Sequence, residues 1–296
     1  MSGLRAMTMR AKRRAGGEHG FTLIELLVTM TISIIIIIAL FAYQDVALRQ
    51  TSSVFTRVDA TQTARNVLAN VERELSTACV SESVAPIRGR NVDGTTGDTS
   101  NATQVTFING YGSAASVTPT KNVIALNTTT NQLTQTTYAV SAGVAPNWTF
   151  STTPSSTTVL TTRAFQQGSK PVFTYFGYGV AKDSSGNDYL DSSGNPYKML
   201  LDGSATLPGG ITTSSGSAVA RGTVPANQNS PLTVPLSAAN AANAAAVKID
   251  LRIGSSGGNN VNTTLSESKV DVSNEVVLRL TPSASDSSSL AVGPCR

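Results

Sequence analysis

Residues able to do covalent or metal chemistry are few in this 296-residue chain. It has one histidine, His19, and two cysteines, Cys79 and Cys295. A Ser-His-Asp or Cys-His mechanism would have to use His19, which lies beside a run of basic residues. A zinc site with several histidines or with four cysteines is excluded by the same counts. The composition therefore disfavours an enzyme and predicts no cofactor.

Positive charge is concentrated at the N-terminus. Residues 1–20 carry five bases and one acid, whereas the whole chain has 22 Lys plus Arg against 18 Asp plus Glu. The rest of the chain is therefore neutral in formal charge. Residues 86–296 hold 13 bases and 11 acids, so bulk charge gives no indication of a nucleic-acid partner.

An uncharged stretch follows the basic leader. From Leu26 to Tyr43, 18 consecutive residues carry no charge, and they give about 27 Å of helix, close to a bilayer core. A helix is favoured because a lone strand leaves its backbone unpaired in lipid. The positive-inside rule predicts a cytoplasmic N-terminus and an extracytoplasmic remainder. A cleaved secretory signal is disfavoured, since its apolar region is usually about 7–15 residues long.

Glu25 is a charged residue at the edge of this span, five residues after Gly20. An acid inside a membrane helix costs roughly 2.5–3.5 kcal/mol on insertion scales, and such acids are usually functional. A shallow position at the headgroups, without a function, is the alternative. Residues 20–28, GFTLIELLV, follow a basic leader and resemble the cleavage and methylation motif of type IV prepilins and type II secretion pseudopilins.

The resemblance implies a processing pathway. A prepilin peptidase/methyltransferase would cleave between Gly20 and Phe21 and N-methylate Phe21. Glu25 would meet the N-terminal amine of a neighbouring subunit during filament assembly, and residues 26–41 would anchor the chain and pack against other helices. The implied partners are other pilin subunits, that peptidase, membrane lipid before assembly and the assembly platform. The implied location is the cytoplasmic membrane, in a single pass, followed by an extracytoplasmic or cell-surface filament.

The helical pattern continues beyond the membrane span. We expect a leader (1–20), a membrane half-helix (21–43), an amphipathic continuation (44–82) and a globular domain (86–296). Residues 44–80 contain no Gly or Pro, so one helix should run from about Phe21 to about Val80. Apolar residues at helical spacing predict a stripe that packs on the following domain: Val54, Val58, Leu68, Val71 and Leu75.

The domain from Pro86 onwards is predicted to be β-rich. Short β-favouring runs alternate with polar linkers: Gln104–Ile108, Asn122–Leu126, Gln135–Val140, Trp148–Ser151, Pro171–Tyr178, Val247–Ile253 and Val272–Leu280. Strict alternation in Val247–Ile253 predicts a strand with one wet face, whereas residues 276–280 predict a more buried strand. The expected fold class is α+β: a long N-terminal helix packed on an antiparallel β-sheet domain with long loops.

Two other residue groups could form sites. The sequence Asp-Ser-Ser-Gly-Asn occurs at Asp183 and again at Asp191, with Asp188 between them. These carboxylates are a weak Ca²⁺ candidate, and two tight turns explain the same residues without a ligand. Outside the cytoplasm Cys79 and Cys295 would tend to be oxidised to a disulfide, although two free thiols are the alternative.

The leading functional interpretation is a structural filament subunit. The order of residues 171–176, 245–251 and 276–280 is similar to larger minor pilins and J-type pseudopilins, and the length of the chain also favours a minor subunit over a major one. An adhesive or DNA-contacting tip pilin is an alternative that lacks support from charge. A membrane-anchored extracytoplasmic enzyme is less favoured, because no histidine follows His19.

Overall fold

A computed structural model of the chain describes residues 22–80, 85, 87–89, 99–109, 119–144, 147–255 and 269–280. The chain divides into two compact units, Met1–Ser52 and Ser53–Arg296. The helices are α1 (Leu23–Ser76) and α2 (Ala238–Asn243). The strands are β1 (Cys79–Val80), β2 (Gln104–Asn109), β3 (Thr120–Asn127), β4 (Gln132–Val144), β5 (Asn147–Phe150), β6 (Ser156–Thr161), β7 (Ala164–Phe165), β8 (Phe173–Val180), β9 (Tyr189–Leu190), β10 (Lys198–Leu200), β11 (Thr212–Thr213), β12 (Ala244–Gly254), β13 (Lys269–Val277) and β14 (Arg279–Leu280).

The single long helix predicted from the sequence is confirmed, but it ends earlier than expected. α1 stops at Ser76, and Cys79 and Val80 form β1, which pairs in parallel with Arg279 and Leu280. The last turn is closed locally, because the Thr77 hydroxyl donates to the Glu74 carbonyl at 2.6 Å and the Ala78 N–H donates to the Leu75 carbonyl at 3.0 Å. Such short-range hydrogen bonds replace the i to i−4 bonds that would continue the helix, so α1 ends and the chain continues as β1.

The C-terminal part of α1 packs against strands of its own unit through one face. Its buried residues recur at three- and four-residue spacing: Ala60, Ala64, Val67, Val71 and Leu75. Four of them, from Ala64 onwards, share a core cluster with residues of the sheets. The predicted stripe is correct for Val71 and Leu75 and wrong at its start, because Val54 and Val58 are 60% and 47% exposed. On the N-terminal side of Val67 the buried face consists of two alanines, Ala60 and Ala64. A stripe defined by large apolar residues does not include them.

Two five-stranded sheets form the scaffold of this unit. One has the order β2-β3-β4-β5 with β6 also paired to β4, and the other has the order β10-β8-β12-β13 with β7 also paired to β12. All pairings within these sheets are antiparallel. Residues from both sheets meet in one apolar cluster that includes Phe107, Tyr175 and Ile249. The α+β architecture, a long helix followed by antiparallel sheets, is thereby confirmed.

The sequence prediction for β12 and β13 is correct in part, since Lys248 and Arg252 are partly exposed and Val276 and Leu278 are buried. β12 lies in the interior of its sheet, and even Asp250, on the face predicted to be wet, is only 8% exposed. β13 pairs with β12 alone among the described strands, and Val277 is 54% exposed. Strand order decides which strand has an unpaired edge, whereas the elements packed on each face decide whether its side chains are buried.

A second, smaller apolar cluster lies between residues 181 and 219. Its buried members are Ala181, Tyr189, Met199, Leu207 and Ile211. The short antiparallel pair β9–β11 belongs to this region, and the Ser214 N–H donates to the Asp188 carbonyl at 2.8 Å. This cluster gives the long loops between β8 and α2 their own core, so they are not simply surface linkers.

Candidate functional site

The start of α1 contains the described part of the predicted cleavage and methylation motif, including the assembly residue Glu25. Thr22 caps the helix: its Oγ1 accepts a hydrogen bond from the Glu25 N–H at 3.3 Å, and its carbonyl accepts from Leu26 N–H at 3.2 Å. Glu25 is exposed in the first turn, where a negative charge interacts favourably with the helix dipole. Gly20 and Phe21 lie outside the described residues. The first turn therefore leaves the Glu25 carboxylate accessible to a partner.

Thr22 is a residue that the sequence prediction did not single out. The order Thr22-Leu23-Ile24-Glu25 follows the Ser/Thr-x-x-Glu pattern of a capping box, which was available as a signal. A threonine cap satisfies one of the N–H groups that the first helical turn leaves unpaired. In an apolar surrounding such a group has no water to bind, so the cap matters more there than at an aqueous surface.

The apolar part of α1 exposes its side chains in every direction. The large apolar residues from Leu23 to Leu48 are between 49% and 81% exposed. This contrasts with an amphipathic surface helix, which exposes only a polar face. Within the described residues α1 is the one helix long and apolar enough to cross a membrane. Such a surface is suited to lipid or to the apolar surfaces of other helices.

The threonine and serine hydroxyls from Thr29 to Ser33 are satisfied within the helix. Thr29 Oγ1 donates to the Leu26 carbonyl at 2.9 Å, Thr31 Oγ1 to the Val28 carbonyl at 2.9 Å, and Ser33 Oγ to the Thr29 carbonyl at 2.7 Å. Each bond removes the cost of placing an unpaired hydroxyl in hydrocarbon. The three polar residues are therefore compatible with a membrane environment.

The charged residues beyond the apolar stretch begin with an ion pair. Asp45 and Arg49 lie at i,i+4, with an Arg49 Nη2 to Asp45 Oδ2 distance of 2.9 Å, and both side chains are well exposed. A pair of this kind is suited to an aqueous or headgroup surface rather than to hydrocarbon. It marks where the uncharged surface of α1 ends.

The Asp-Ser-Ser-Gly-Asn repeats form two similar turns. Asp183 Oδ1 accepts hydrogen bonds from the N–H groups of Ser185 and Asn187, both at 2.8 Å. Asp191 Oδ1 accepts the equivalent bonds from Ser193 and Asn195, at 2.8 and 2.9 Å. The Asn187 side-chain amide and the backbone donors lower the pKa of Asp183, although partial desolvation opposes them.

A third turn of the same form was missed. Residues 213–217 read TSSGS, and Thr213 Oγ1 accepts from the Ser217 N–H at 3.0 Å. The single glycine of each turn, at its fourth position, has a positive φ of 80–89°, which residues with a side chain rarely adopt. The repeated Ser-Ser-Gly predicts this third turn if the residue before it may be any short side chain with an oxygen acceptor.

The third carboxylate of the Ca²⁺ candidate, Asp188, pairs with a cation. Lys182 Nζ lies 3.0 Å from Asp188 Oδ1. Asp183, Asp188 and Asp191 thus each interact with protein groups, and no cluster of three His, Cys, Asp or Glu side chains suited to a metal is found in the described part of the chain. The three aspartates therefore stay a weak Ca²⁺ candidate.

One cysteine of the predicted disulfide, Cys295, lies outside the described residues. Cys79 is placed in β1, opposite Arg279 of β14. This parallel pairing brings the chain beside Cys79 at a point 16 residues before Cys295. The disulfide therefore stays a prediction.

Comparison with known families identifies the N-terminal segment. The prokaryotic N-terminal methylation motif matches residues 16–41, which include Gly20, Phe21 and Glu25. Comparison of the chain with curated proteins and with solved structures gives no match. Together with the long apolar helix, the motif fits a type IV prepilin-like protein. The motif and the helix are consistent with membrane anchoring and point to a pilin-type structural protein.

Proposed function

We propose that the chain is a minor-pilin-type structural subunit of a type IV pilus-like or type II secretion filament. The observation that carries this proposal is the continuity of the methylation motif with a capped, apolar helix. The size of the outer domain supports the minor status, since the described part of Ser53–Arg296 holds two five-stranded sheets and a second small core. The proposed role is assembly rather than catalysis.

Before assembly, the apolar part of α1 is proposed to span the cytoplasmic membrane once. The basic leader stays in the cytoplasm, and the β-rich unit lies on the extracytoplasmic side. The exposed apolar side chains and the internally bonded hydroxyls of Thr29, Thr31 and Ser33 support insertion in lipid.

Processing by the prepilin peptidase/methyltransferase is proposed to convert this anchor into an assembly element. Cleavage after Gly20 creates an amine at Phe21, which is then methylated. In the filament, the Glu25 carboxylate of one subunit pairs with that amine on a neighbour. An ammonium and a carboxylate attract strongly in a low-dielectric environment, so each offsets the cost of burying the other. The assembly platform and other pilin subunits complete the proposed set of partners.

The experiment that tests this function is co-expression with a prepilin peptidase and its filament system. We expect N-terminal sequencing of the sheared filament fraction to begin at Phe21 and mass spectrometry to find that residue methylated. A catalytically inactive peptidase is the matched control and should leave the full leader in place. Detection of the chain only in membranes, with Met1 still present in the active strain, would contradict the proposal.

A further inference from the structure

One edge of the first sheet carries no charge. No charged residue occurs between Lys121 and Arg163, a stretch that contains most of β3 and all of β4, β5 and β6. In the whole chain 14% of residues are charged, so this stretch departs from the rest. Hydroxyl side chains take the place of charges, and β6 reads Ser-Thr-Thr-Val-Leu-Thr. Threonine and valine favour strands, so β6 combines strand propensity with the absence of any charge that would repel an added strand.

β6 is open on both faces and along one edge. It pairs antiparallel with residues 133–137 of β4, and no other described strand pairs with it. Four successive residues, from Ser156 to Val159, are exposed. Successive side chains of a strand point to opposite faces, so neither face of this part of β6 is covered. Along the open edge, every second residue directs its backbone N–H and C=O away from β4.

The outer edges of β2, β13 and β10 are protected in ways that β6 is not. At β2, the Thr106 carbonyl accepts from the Arg88 N–H at 2.8 Å, and the Thr106 N–H donates to Ser100 Oγ at 3.0 Å. β13 carries charged residues, and Asn274 Oδ1 accepts from the Glu275 N–H at 2.9 Å. β10 has only three residues. Bonded edge groups, charges and short length all discourage the addition of another strand.

The chemistry of the β6 edge selects an uncharged strand as its partner. A strand edge is matched by another strand, because its backbone supplies donors and acceptors at the same spacing. A partner recognised through charge would need a complementary charge on the edge, and residues 122–162 provide none. β6 meets the requirement itself, since its side chains can oppose their own copies without like-charge repulsion and with threonine pairs that hydrogen-bond. Charge complementarity therefore favours a second copy of this chain.

We propose that β6 is a self-association site at which two copies of this chain pair antiparallel through Ser156–Thr161 and join their first sheets across a two-fold axis. An axis perpendicular to the sheet keeps equivalent residues of the two copies on the same face. Pro154, in the loop before β6, has no N–H to donate, so the pairing does not extend past it. A contact of this length is small, and the association is accordingly weak and reversible. This inference does not depend on the filament function.

The test is sedimentation equilibrium of the full-length chain in detergent over a range of protein concentrations. We expect the wild type to show a reversible equilibrium between monomer and dimer. Val159, which is 49% exposed, can be replaced without disturbing a core. Val159→Lys places like charges on the same face of the paired strands and should weaken dimerisation several-fold, and Val159→Glu should do the same. Val224→Lys is the matched control outside the strands, at a residue 60% exposed, and should dimerise as wild type.

A mixture of Val159→Lys and Val159→Glu distinguishes pairing of β6 from association through the apolar part of α1. Opposite charges then lie on the same face, so the mixture should dimerise at least as well as the wild type. Association through α1 would be equal in every sample and would overturn the proposal. A wild type that stays monomeric, which would mean that the edge takes another strand or none, would also overturn it. So would a mixture that dimerises no better than either variant alone.

A measurement on the wild type keeps the proposal testable if the variants fold poorly. Dimerisation hydrogen-bonds the open edge, so amides of β6 should exchange several-fold more slowly at high than at low protein concentration. The amide of Ile249, in the interior strand β12, should exchange independently of concentration. Equal exchange of the β6 amides at both concentrations would contradict self-association through this edge.

Discussion

The two ends of α1 use the same secondary structure for different purposes. Between Leu23 and Leu48 the large apolar side chains are exposed in all directions, whereas Ala60 to Leu75 bury a single stripe. Both parts satisfy their backbone internally, so the difference lies in where the side chains find apolar partners. The second part finds them in its own unit, and the first part requires lipid or another chain. Helix formation alone therefore does not reveal which partner a helix has.

The largest effect should come from blocking the processing proposed for the first part. Gly20→Leu places a bulky side chain where the proposed peptidase would approach the backbone, and we expect cleavage and filament entry to be nearly abolished. Gly20→Ala should retain part of the cleavage. The shift in mass on removal of the leader measures both variants. Equal processing of Gly20→Leu and wild type would argue against the cleavage site.

Glu25→Ala should separate insertion from assembly. Removing the acid should ease membrane insertion by roughly 2 kcal/mol or more on insertion scales. It should also leave the neighbour's amine without a partner in the filament, at a cost of roughly 3–5 kcal/mol. The variant should accumulate normally in membranes and be poorly represented in sheared filaments.

The outcomes for Glu25→Ala are distinct. Normal incorporation would mean that Glu25 lies shallow and has no assembly role. Loss of the membrane pool would indicate a folding role instead. Asp45→Ala, at the far end of the apolar stretch, is a matched control that should enter filaments as wild type.

Leu75→Ala should destabilise the β-rich unit. Leu75 is fully buried in the cluster formed with both sheets. Its truncation should cost about 2–5 kcal/mol of unfolding free energy. Ile35→Ala is the comparison, because Ile35 is 66% exposed, and unfolding of this unit should be unchanged. Similar effects of the two variants on denaturant midpoints would contradict the contrast between the two parts of α1.

The smallest effect is expected at the helix cap. Thr22→Val keeps the side-chain shape and removes the acceptor for the Glu25 N–H, with an expected cost of about 1 kcal/mol. Thr22→Ser keeps the acceptor and should behave as wild type. Amide hydrogen exchange of the first turn in detergent should therefore be faster for Thr22→Val than for Thr22→Ser.

Several features could be predicted because they depend on neighbouring residues along the chain. The motif at residues 20–28 and the uncharged span after it are local patterns, and α1 confirms the long helix they predict. The positions of β2, β3, β8 and β12 were also close to the predicted runs, since β-branched and aromatic residues between turn formers mark strands. The Thr22 cap is equally local, because Thr22 and Glu25 follow the Ser/Thr-x-x-Glu pattern.

Tertiary structure alone decided which of these strands are covered and which distant residues meet. The alternation in Val247–Ile253 fixes two faces, but the order β10-β8-β12-β13 makes β12 interior and β13 an edge. Packing of the whole chain also brings Cys79 of β1 opposite Arg279 of β14, which are separated by 200 positions. Local sequence patterns specify the faces of a strand, whereas neighbours in a sheet and contacts between loops depend on how the whole chain packs.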